Sequence, residues 1–324
     1  MITSGIINLN KPPGITSHGC VQAVRRITGI KRVGHTGTLD PEAVGVLPVC
    51  IGGAARIMEY LEIDYKKYRC EMVLGLVTDT QDVWGETIRD LRKEIRSGAC
   101  ISSNAIEDVL ASFEGANEQY PPKYSAVRVG GKRLYEYARA GEDVEIKKRK
   151  VFIKDISVAE VNPDEQKISF EITCSKGTYV RTVCHDAGEK LGCGGAMSGL
   201  TRLASGAFKI EDAVRLDDLA EKSEDEIERL ILPADYPLVH FGRAVIVSRE
   251  ACGRFLNGGS VDLSETVVEA TPEYAEKEPD FAIREEYRRA YNVYDGGGNV
   301  FLGVAFLNGN GVFAVDKVFF RRIV

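Results

Sequence analysis

"GHTGTLDPEAVGVLPV", residues 34–49, places Asp40 between a Gly/Thr-rich turn and a run of small apolar residues. Asp40 is the first acidic residue of the chain, and a solvated aspartate is more at home in a polar loop. One interpretation is a helix cap, because an aspartate that precedes a proline is a typical helix start. The other is a chemical role for the carboxylate. This stretch alone leaves both interpretations open.

The segments around this stretch predict a mixed α/β body. Apolar and alternating runs predict strands at residues 5–11, 68–76, 151–161 and 167–183. Helical spacing predicts helices at residues 18–29 (with Thr16 or Ser17 as N-cap and Gly29 at the end), at 102–115 (with a capping serine and a closing glycine), and at 181–192. Strands and helices that follow each other in this order are typical of a catalytic α/β domain.

The composition changes after about residue 236. Short apolar segments follow, separated by Gly/Asn-rich turns such as GGGN and NGNG. This pattern predicts a small all-β unit at residues 240–324. The charge-biased stretch at about 265–280 is expected to be a loose loop.

Size and composition indicate a soluble cytosolic protein. The chain has 324 residues, 44% of them hydrophobic, and it lacks the run of roughly 18 apolar residues that spans a bilayer. The first residues do not resemble a signal peptide. The eight cysteines contain no CxxC pair and only four histidines are present, so we expect reduced cysteines and no metal site.

Charge is distributed unevenly along the chain. The formal net charge is −6, yet residues 1–39 contain five basic side chains and no acidic one. Residues 121–154 contain ten basic and four acidic side chains, whereas residues 211–230 contain three basic and nine acidic ones. A basic face of this kind is sufficient to bind a polyanion. Solvated charged faces without a partner are the alternative.

Five stretches, in order, resemble the TruB family of bacterial tRNA pseudouridine-55 synthases. They are GIINLNKPPGITS at the start, GHTGTLDPEAVGVLPVCIGGAARIMEYL around Asp40, YRCEMVLGLVTDTQDVWG, PPKYSAVRVGGKRLYEYARAG and GTYVRTVCHDAGEKLGCGG. The resemblance extends over about residues 1–215. More weakly, the C-terminal segment resembles a PUA RNA-binding domain.

The resemblance implies a fold and an activity. The expected fold is a pseudouridine synthase domain at residues 1–236, with a mixed, largely antiparallel sheet flanked by helices, followed by a PUA-like β domain at 240–324. Residues 121–154, called the thumb segment below, resemble an insertion that clamps the T arm of tRNA. The implied reaction converts uridine 55 of the T loop to pseudouridine after flipping the base out, a step that costs a few kcal/mol of lost stacking. The reaction requires no cofactor. A monomer without protein or membrane partners is expected.

The resemblance also implies the residues that perform the chemistry. Asp40 is the catalytic aspartate, which can act as a nucleophile or as a base. Arg181 pairs with Asp40 and, as a nearby cation, favours its ionised form. Tyr179 contacts the base and is a candidate acceptor of its proton. A strand at residues 179–181 would place Tyr179 and Arg181 on one face.

Four further residues are implied in substrate binding. Tyr68 stacks on the target uracil, and Leu200 lines the pocket. His35 occupies the stacking space that the flipped base vacates. Lys11 either braces the Asp40 loop or contacts a phosphate.

Four positions depart from the family pattern. They are Glu42, Val44, Ala196 and Thr201, which stand where leucine, threonine, histidine and arginine are usual. The last two place phosphate contacts near residues 196–202 in doubt. The region 262–286 is also strongly acidic, which is unusual for an RNA-binding face.

Two other functions remain open. One is a guide-RNA-dependent synthase of the H/ACA type, which shares the aspartate motif; the thumb segment favours a stand-alone enzyme instead. The other is a tRNA-binding folding factor in which catalysis is secondary.

Overall fold

The computed structural model describes residues 4–63, 65–98, 102–273, 284–297 and 300–319. The strands are β1 (Gly5–Lys11), β2 (Val33–His35), β3 (Val44–Ile51), β4 (Lys66–Leu74), β5 (Leu76–Thr78), β6 (Thr87–Asp90), β7 (Gly115–Gln119), β8 (Arg128–Val129), β9 (Lys132–Arg133), β10 (Arg149–Asn162), β11 (Lys167–Cys174), β12 (Gly195–Ser205), β13 (Phe208–Lys209), β14 (Val214–Arg215), β15 (Gly242–Ile246), β16 (Val261–Asp262), β17 (Thr266–Ala270), β18 (Ala290–Tyr294), β19 (Phe301–Leu307) and β20 (Val312–Val318).

The helices of the same ranges are α1 (Ser17–Thr28), α2 (Arg92–Gly98), α3 (Ser103–Ala111), α4 (Leu134–Ala140), α5 (Val180–Lys190), α6 (Leu216–Ala220), α7 (Glu224–Leu230) and α8 (Arg249–Leu256). A 3-10 helix, Gly52–Ile63, connects β3 to β4. Within the described ranges, none of the helices is long and apolar enough to cross a membrane.

The larger sheet confirms the predicted mixed, largely antiparallel arrangement. Among the described residues its order is β14-β1-β3-β12-β4-β11-β10-β7, with β2 beside β3 and β13 beside β12. The pairs β1/β14 and β3/β12 are parallel, and the other neighbours are antiparallel. Helices α3 and α5 pack on the half formed by β4, β10, β11 and β12, which contains the largest apolar core. Strand β3, which follows the Asp40 loop, therefore lies near the middle of the sheet.

Local capping explains the confirmed helix α1. The Thr16 hydroxyl accepts a hydrogen bond from the Gly19 amide at 2.9 Å, as an N-cap does. Gly29 ends the helix with a left-handed φ of 69°, and its amide donates to the Arg25 carbonyl. The basic side chains Arg25 and Arg26 lie in the last turn, where the helix dipole favours them.

The structure corrects the helix-cap interpretation of Asp40. Within the described range 4–63, Asp40 is followed by bends at residues 41–42 and then by β3, and no helix begins there. The run of small apolar residues after Asp40 is a buried central strand. At its start, a Cβ on Gly45 would lie 2.3 Å from the Arg202 carbonyl oxygen, so β3 and β12 approach too closely for a side chain.

The predicted strand over residues 167–183 is too long. Strand β11 ends at Cys174, and α5 begins at Val180. The buried residues Val180, Val183, Cys184 and Ala187 repeat with helical spacing and turn one face of α5 towards the sheet. The predicted helix at 102–115 is also shorter, since α3 ends at Ala111 and the glycine expected to close it, Gly115, begins β7.

The smaller sheet lies in the C-terminal part of the chain. Its order among the described residues is β16-β20-β19-β18-β15-β17. The all-β expectation is wrong in one respect, because α8 begins at the Ser248 N-cap and packs Ala251 and Phe255 into the core of this sheet. Of the loop expected at 265–280, residues 266–270 form β17, and residues 274–280 lie outside the described ranges.

The thumb segment consists of a short hairpin, a helix and the start of a sheet strand. Strands β8 and β9 pair with each other and lead into α4. Residues 149–154 belong to β10, which pairs with β7 and β11 in the larger sheet. Only residues 121–148 therefore stand apart from the sheet.

Candidate active site

The loop that carries Asp40 is fixed by a buried lysine. The Lys11 ammonium, at the end of β1, donates to the carbonyl oxygens of Pro12 (2.9 Å), Ile15 (2.7 Å) and Pro41 (2.7 Å). Burial lowers the pKa of Lys11, while the negative charges of Glu42 and Asp40 oppose that shift. All three N–H donors of the ammonium are occupied, so the geometry favours the bracing role over a phosphate contact.

Helix α1 holds the other side of the same loop. The Ser17 hydroxyl accepts from the Leu39 amide at 2.8 Å and donates to the Leu39 carbonyl at 2.9 Å. The Gly14 amide donates to the Pro41 carbonyl at 3.0 Å. These contacts fix the backbone on both sides of Asp40, so the position of its carboxylate depends on little more than its own side-chain rotamers.

Arg181 reaches Asp40 from the first turn of α5. Its Nε atom lies 3.5 Å from Asp40 Oδ2. The Arg181 side chain is 5% exposed, whereas that of Asp40 is 40% exposed. The guanidinium also donates to the carbonyl oxygens of Thr80 (3.3 Å) and Tyr124 (2.7 Å). The arginine is thus buried and fixed, and the carboxylate that it faces is open to a substrate.

A second carboxylate, Asp82, shares the guanidinium. Arg181 Nη1 lies 3.6 Å from Asp82 Oδ2. Asp82 Oδ1 accepts hydrogen bonds from the Thr80 hydroxyl at 2.7 Å and the Trp84 amide at 3.1 Å, which orient the side chain. Burial raises the pKa of Asp82, although Thr80 and Arg181 act in the opposite direction.

The start of α5 is secured from two sides. The Gln119 side chain accepts from the Tyr179 amide at 2.8 Å and donates to the Tyr179 carbonyl at 3.0 Å. The Thr182 hydroxyl donates to the Gln81 side-chain oxygen at 2.7 Å. The Tyr179 ring lies 5.9 Å from the Arg181 guanidinium carbon. Tyr179 and Arg181 are therefore neighbours, as predicted, but through a helix start and not through a strand.

Tyr68 and Leu200 lie on the adjacent strands β4 and β12. Tyr68 on β4 is buried in the core cluster that contains Leu39 and Ala43, and Leu200 on β12 packs against that cluster. Tyr68 is the register partner of Arg202 on the paired strand β12. Burial raises the pKa of Tyr68, so its hydroxyl is protonated at neutral pH.

Arg202 is a fully buried cation beside the Asp40 loop. Its guanidinium donates to the carbonyl oxygens of Val46 at 2.5 Å and Gly37 at 3.1 Å. It therefore connects β12 to β3 and to the turn before Asp40. The sequence has Thr201 where an arginine is usual, which places phosphate contacts near this position in doubt. The structure shows that the next residue, Arg202, contacts protein carbonyl groups.

His35 lies at the end of β2, half-buried, with its backbone paired to Val49. Burial lowers the pKa of His35, and the positive charge of Arg202 acts in the same direction. The imidazole is therefore neutral at neutral pH.

Within the described ranges, no group of three or more His, Cys, Asp or Glu side chains is arranged as metal ligands are.

Comparison with known proteins identifies the family. The family model described as the N-terminal domain of TruB family pseudouridylate synthases matches residues 25–180, and the C-terminal domain model of tRNA pseudouridylate synthase B matches residues 181–239. The chain belongs to the TruB family. A tRNA pseudouridine synthase B from Alkaliphilus oremlandii is 45% identical over 80% of this chain and 83% of the relative. One from Clostridium kluyveri is 38% identical over 97% of this chain and 99% of the relative.

A solved structure supports the same fold for the TruB chain described here. A chain in a Cbf5-Nop10-Gar1 complex superposes with a TM-score of 0.72 at 25% identity, covering 98% of this chain and 85% of that chain. The match includes the smaller C-terminal sheet, which is consistent with the predicted PUA-like domain.

Sequence reasoning missed three side chains of this TruB site. Asp82 lies in the stretch YRCEMVLGLVTDTQDVWG, which resembles the family but indicates no role for this carboxylate. Arg202 and Gln119 gave no local signal, because nothing in their immediate sequence indicates the carbonyl groups or the helix start that they contact.

Proposed function

We propose that this chain converts uridine 55 in the T loop of tRNA to pseudouridine. The observation that supports this most directly is the Asp40–Arg181 pair, in which an exposed carboxylate faces a buried arginine at 3.5 Å in a chain of the TruB family. The relatives named tRNA pseudouridine synthase B, at 38–45% identity over most of this chain, favour the same activity.

The reaction breaks the bond between N1 of the uracil and C1′ of the ribose and forms a bond between C5 and C1′. Because atoms are only rearranged, neither an oxidant nor a hydrolytic water is needed. Asp40 supplies the carboxylate, as a nucleophile or as the base that removes a sugar proton. Arg181 faces this carboxylate with its Nε atom 3.5 Å from Asp40 Oδ2.

The other site residues hold the uridine. Tyr179 lies beside Arg181 and contacts the base, with its hydroxyl as the candidate acceptor of the C5 proton. Tyr68, in the apolar cluster that contains Leu39 and Ala43, would stack on the uracil, and Leu200, which packs against that cluster, would line the pocket. His35, neutral at physiological pH, fits the space of the flipped base as an uncharged ring. Lys11 holds the Asp40 loop from below.

The two sheets and the thumb segment would have different tasks. Residues 1–236 form the catalytic part, the thumb segment (residues 121–154) clamps the T arm, and residues 240–324 form a PUA-like unit. Exposed cations of the thumb segment would neutralise phosphates. The enzyme is expected to act as a cytoplasmic monomer without a protein partner.

Release of tritium tests this function. A tRNA transcript labelled at C5 of its uracils must lose label to water, because C5 becomes the glycosidic carbon. We expect release without any guide RNA, and none from a transcript in which uridine 55 is replaced by cytidine. Release that depends on a guide RNA would favour the H/ACA-type enzyme. If tritium is released from none of the tRNAs, the proposed activity is wrong and a tRNA-binding folding factor is the alternative function.

A further inference from the structure

Gln119 is the last residue of β7. After it the chain leaves the sheet and continues into residues 121–148 of the thumb segment. Its side chain is 5% exposed and makes two hydrogen bonds, both to the backbone of Tyr179. One amide side chain thus accepts from the backbone N–H and donates to the C=O of the same residue, as a neighbouring β-strand would, while the C=O also accepts from the Thr182 and Val183 amides of α5.

The start of α5 needs such a partner. Tyr179 is the N-cap residue, and its own side chain makes no capping hydrogen bond. The first turn also contains Arg181 and no acidic residue, so the helix dipole opposes the cation that lies there. The contacts with Gln119 compensate for a helix start that is poorly stabilised by its own residues.

We propose that Gln119 is a positioning residue for the reaction, which holds Tyr179 and Arg181 against Asp40 from the base of the thumb segment. The inference rests on the proposed function and adds a residue to it. Gln119 contacts no part of the substrate in this proposal. It acts through the backbone of Tyr179.

A second contact reinforces this arrangement. The Tyr124 carbonyl, five residues after Gln119, accepts a hydrogen bond from Arg181 Nη2 at 2.7 Å. Between the two contacts lie Pro121 and Pro122, both buried, whose fixed φ angles stiffen the connection. The segment 119–124 therefore contacts the start of α5 at both ends, and its geometry is transmitted to the Arg181 guanidinium.

The hairpin of the thumb segment continues directly from Tyr124. The Ser125 carbonyl accepts from the Tyr135 amide at 3.1 Å, and the Val127 carbonyl accepts from the Leu134 amide at 2.8 Å. Residues that would grip the T arm are thus joined through one short, stiff segment to the arginine that faces Asp40. The position of Arg181 is therefore coupled to the position of the thumb segment.

The variant Gln119→Met tests the proposal, because methionine keeps the length and burial of the side chain and removes both hydrogen bonds. We expect the single-turnover rate of tritium release at saturating enzyme to fall by about 10- to 100-fold, the loss expected from a small misplacement of reacting groups. The dissociation constant for tRNA should stay within about twofold. Gln119→Glu, which loses the donor and sets a carboxyl against the Tyr179 carbonyl, should be slowed similarly.

Gln166→Met is the matched control. Gln166 is also 5% exposed and donates to a backbone carbonyl, that of Arg92, at the opposite end of β11 from the site. It should keep the wild-type rate. Equal losses in both methionine variants would overturn the proposal, because they would reflect general destabilisation. A wild-type rate in Gln119→Met, or a defect confined to tRNA binding, would overturn it too.

Hydrogen exchange separates this inference from the proposed function. In Gln119→Met, amides at the start of α5 should exchange faster, while those of β11 should not change. This measurement needs no reaction. If the wild-type chain releases no tritium, the proposed function fails, and exchange alone decides whether Gln119 holds Tyr179. Unchanged exchange at residues 179–183 would refute the clamp whatever the activity.

Discussion

Asp40 combines a fixed backbone with an open carboxylate. Lys11 and Ser17 hold the residues on either side of it, and Arg181 faces it from a buried position. A residue whose only task was to cap a helix would not be placed in this way, and no helix follows it in the described range 4–63 before β3. The arginine also faces a second carboxylate, Asp82, so it still has an anionic partner when Asp40 is neutralised.

Asp40→Asn should therefore abolish turnover without unfolding the protein. The amide is neither a nucleophile nor a useful base, and we expect single-turnover tritium release to fall by about a thousandfold or more. Because Arg181 remains paired with Asp82, the free energy of unfolding should change by less than about 1 kcal/mol. Glu42→Gln, which neutralises the neighbouring acid, is the control and should retain activity. Near-wild-type release from Asp40→Asn would refute the catalytic role.

His35 should make the folded state sensitive to mild acid. Its pKa is lowered chiefly by burial, so the folded state favours the neutral ring, and the stability that this contributes is present above the unfolded pKa of about 6.5. It is lost as the pH falls through the folded value. Between pH 7 and pH 5, wild type should lose more unfolding free energy than His35→Asn in urea titrations. Parallel pH profiles of the two proteins would contradict this.

At the scale of single elements, α5 shows why the site needs its neighbours. The helix begins without a capping side chain and places Arg181 against its own dipole. Gln119, Gln81 and the carbonyl groups of residues 80 and 124 supply what the helix lacks. The thumb segment is a different case, since its basic side chains at residues 147–150 are exposed and accessible to a polyanion.

Four exposed cations, Lys147, Lys148, Arg149 and Lys150, should contribute to tRNA affinity. Replacing all four with glutamine should weaken binding and flatten its dependence on salt, by roughly one unit of the logarithmic slope for each phosphate that is no longer neutralised. The bound complex should still react. Replacement of Lys209, Arg215, Lys222 and Arg229, which changes the net charge equally within an acidic region, is the control. If the salt dependence of tRNA binding has the same slope in wild type and in the thumb variant, these four cations face solvent and do not contact tRNA phosphates.

At the scale of the whole molecule, the two sheets share one apolar cluster. It joins Ile6, Val46 and the 3-10 helix Gly52–Ile63 to Val304 of β19 and to Tyr287, which lies in a 3-10 helix (Glu285–Arg289) just before β18. The Tyr287 ring packs beside Tyr60 and Phe241, and its hydroxyl donates to the Glu59 carbonyl at 3.0 Å. The segment that connects β3 to β4, and therefore Asp40 to Tyr68, is thus packed against the C-terminal sheet.

Because this core is shared, the two sheets should unfold together. Calorimetry should show a single transition for wild type. Tyr287→Ala removes a buried aromatic ring and should lower the free energy of unfolding by about 3–5 kcal/mol, whereas Tyr287→Phe should cost about 1 kcal/mol through its lost hydrogen bond. Two independent transitions in wild type, with only one affected by Tyr287→Ala, would show that the sheets are stabilised separately.

Features that depend on neighbours in the chain could be predicted from the sequence. The cap of α1 at Thr16 or Ser17, its end at Gly29, the strands β1, β4, β10 and β11 and the motif around Asp40 all follow from residues within a few positions of one another. Errors arose where a short apolar pattern fits two structures. Residues 179–183 were interpreted as a strand because alternation and helical spacing are hard to distinguish over so few residues, and packing on the sheet favours the helix.

The composition of the site was decided by tertiary structure. The sequence pairs Asp40 with Arg181 only through resemblance to the family, and it indicates no role in the site for Asp82, Arg202 or Gln119. Their partners lie about 60 to 165 positions away, in Tyr179, Arg181 and the carbonyl of Gly37. Such contacts depend on strand order and register, which bring distant segments together, and no local preference of these residues specifies them.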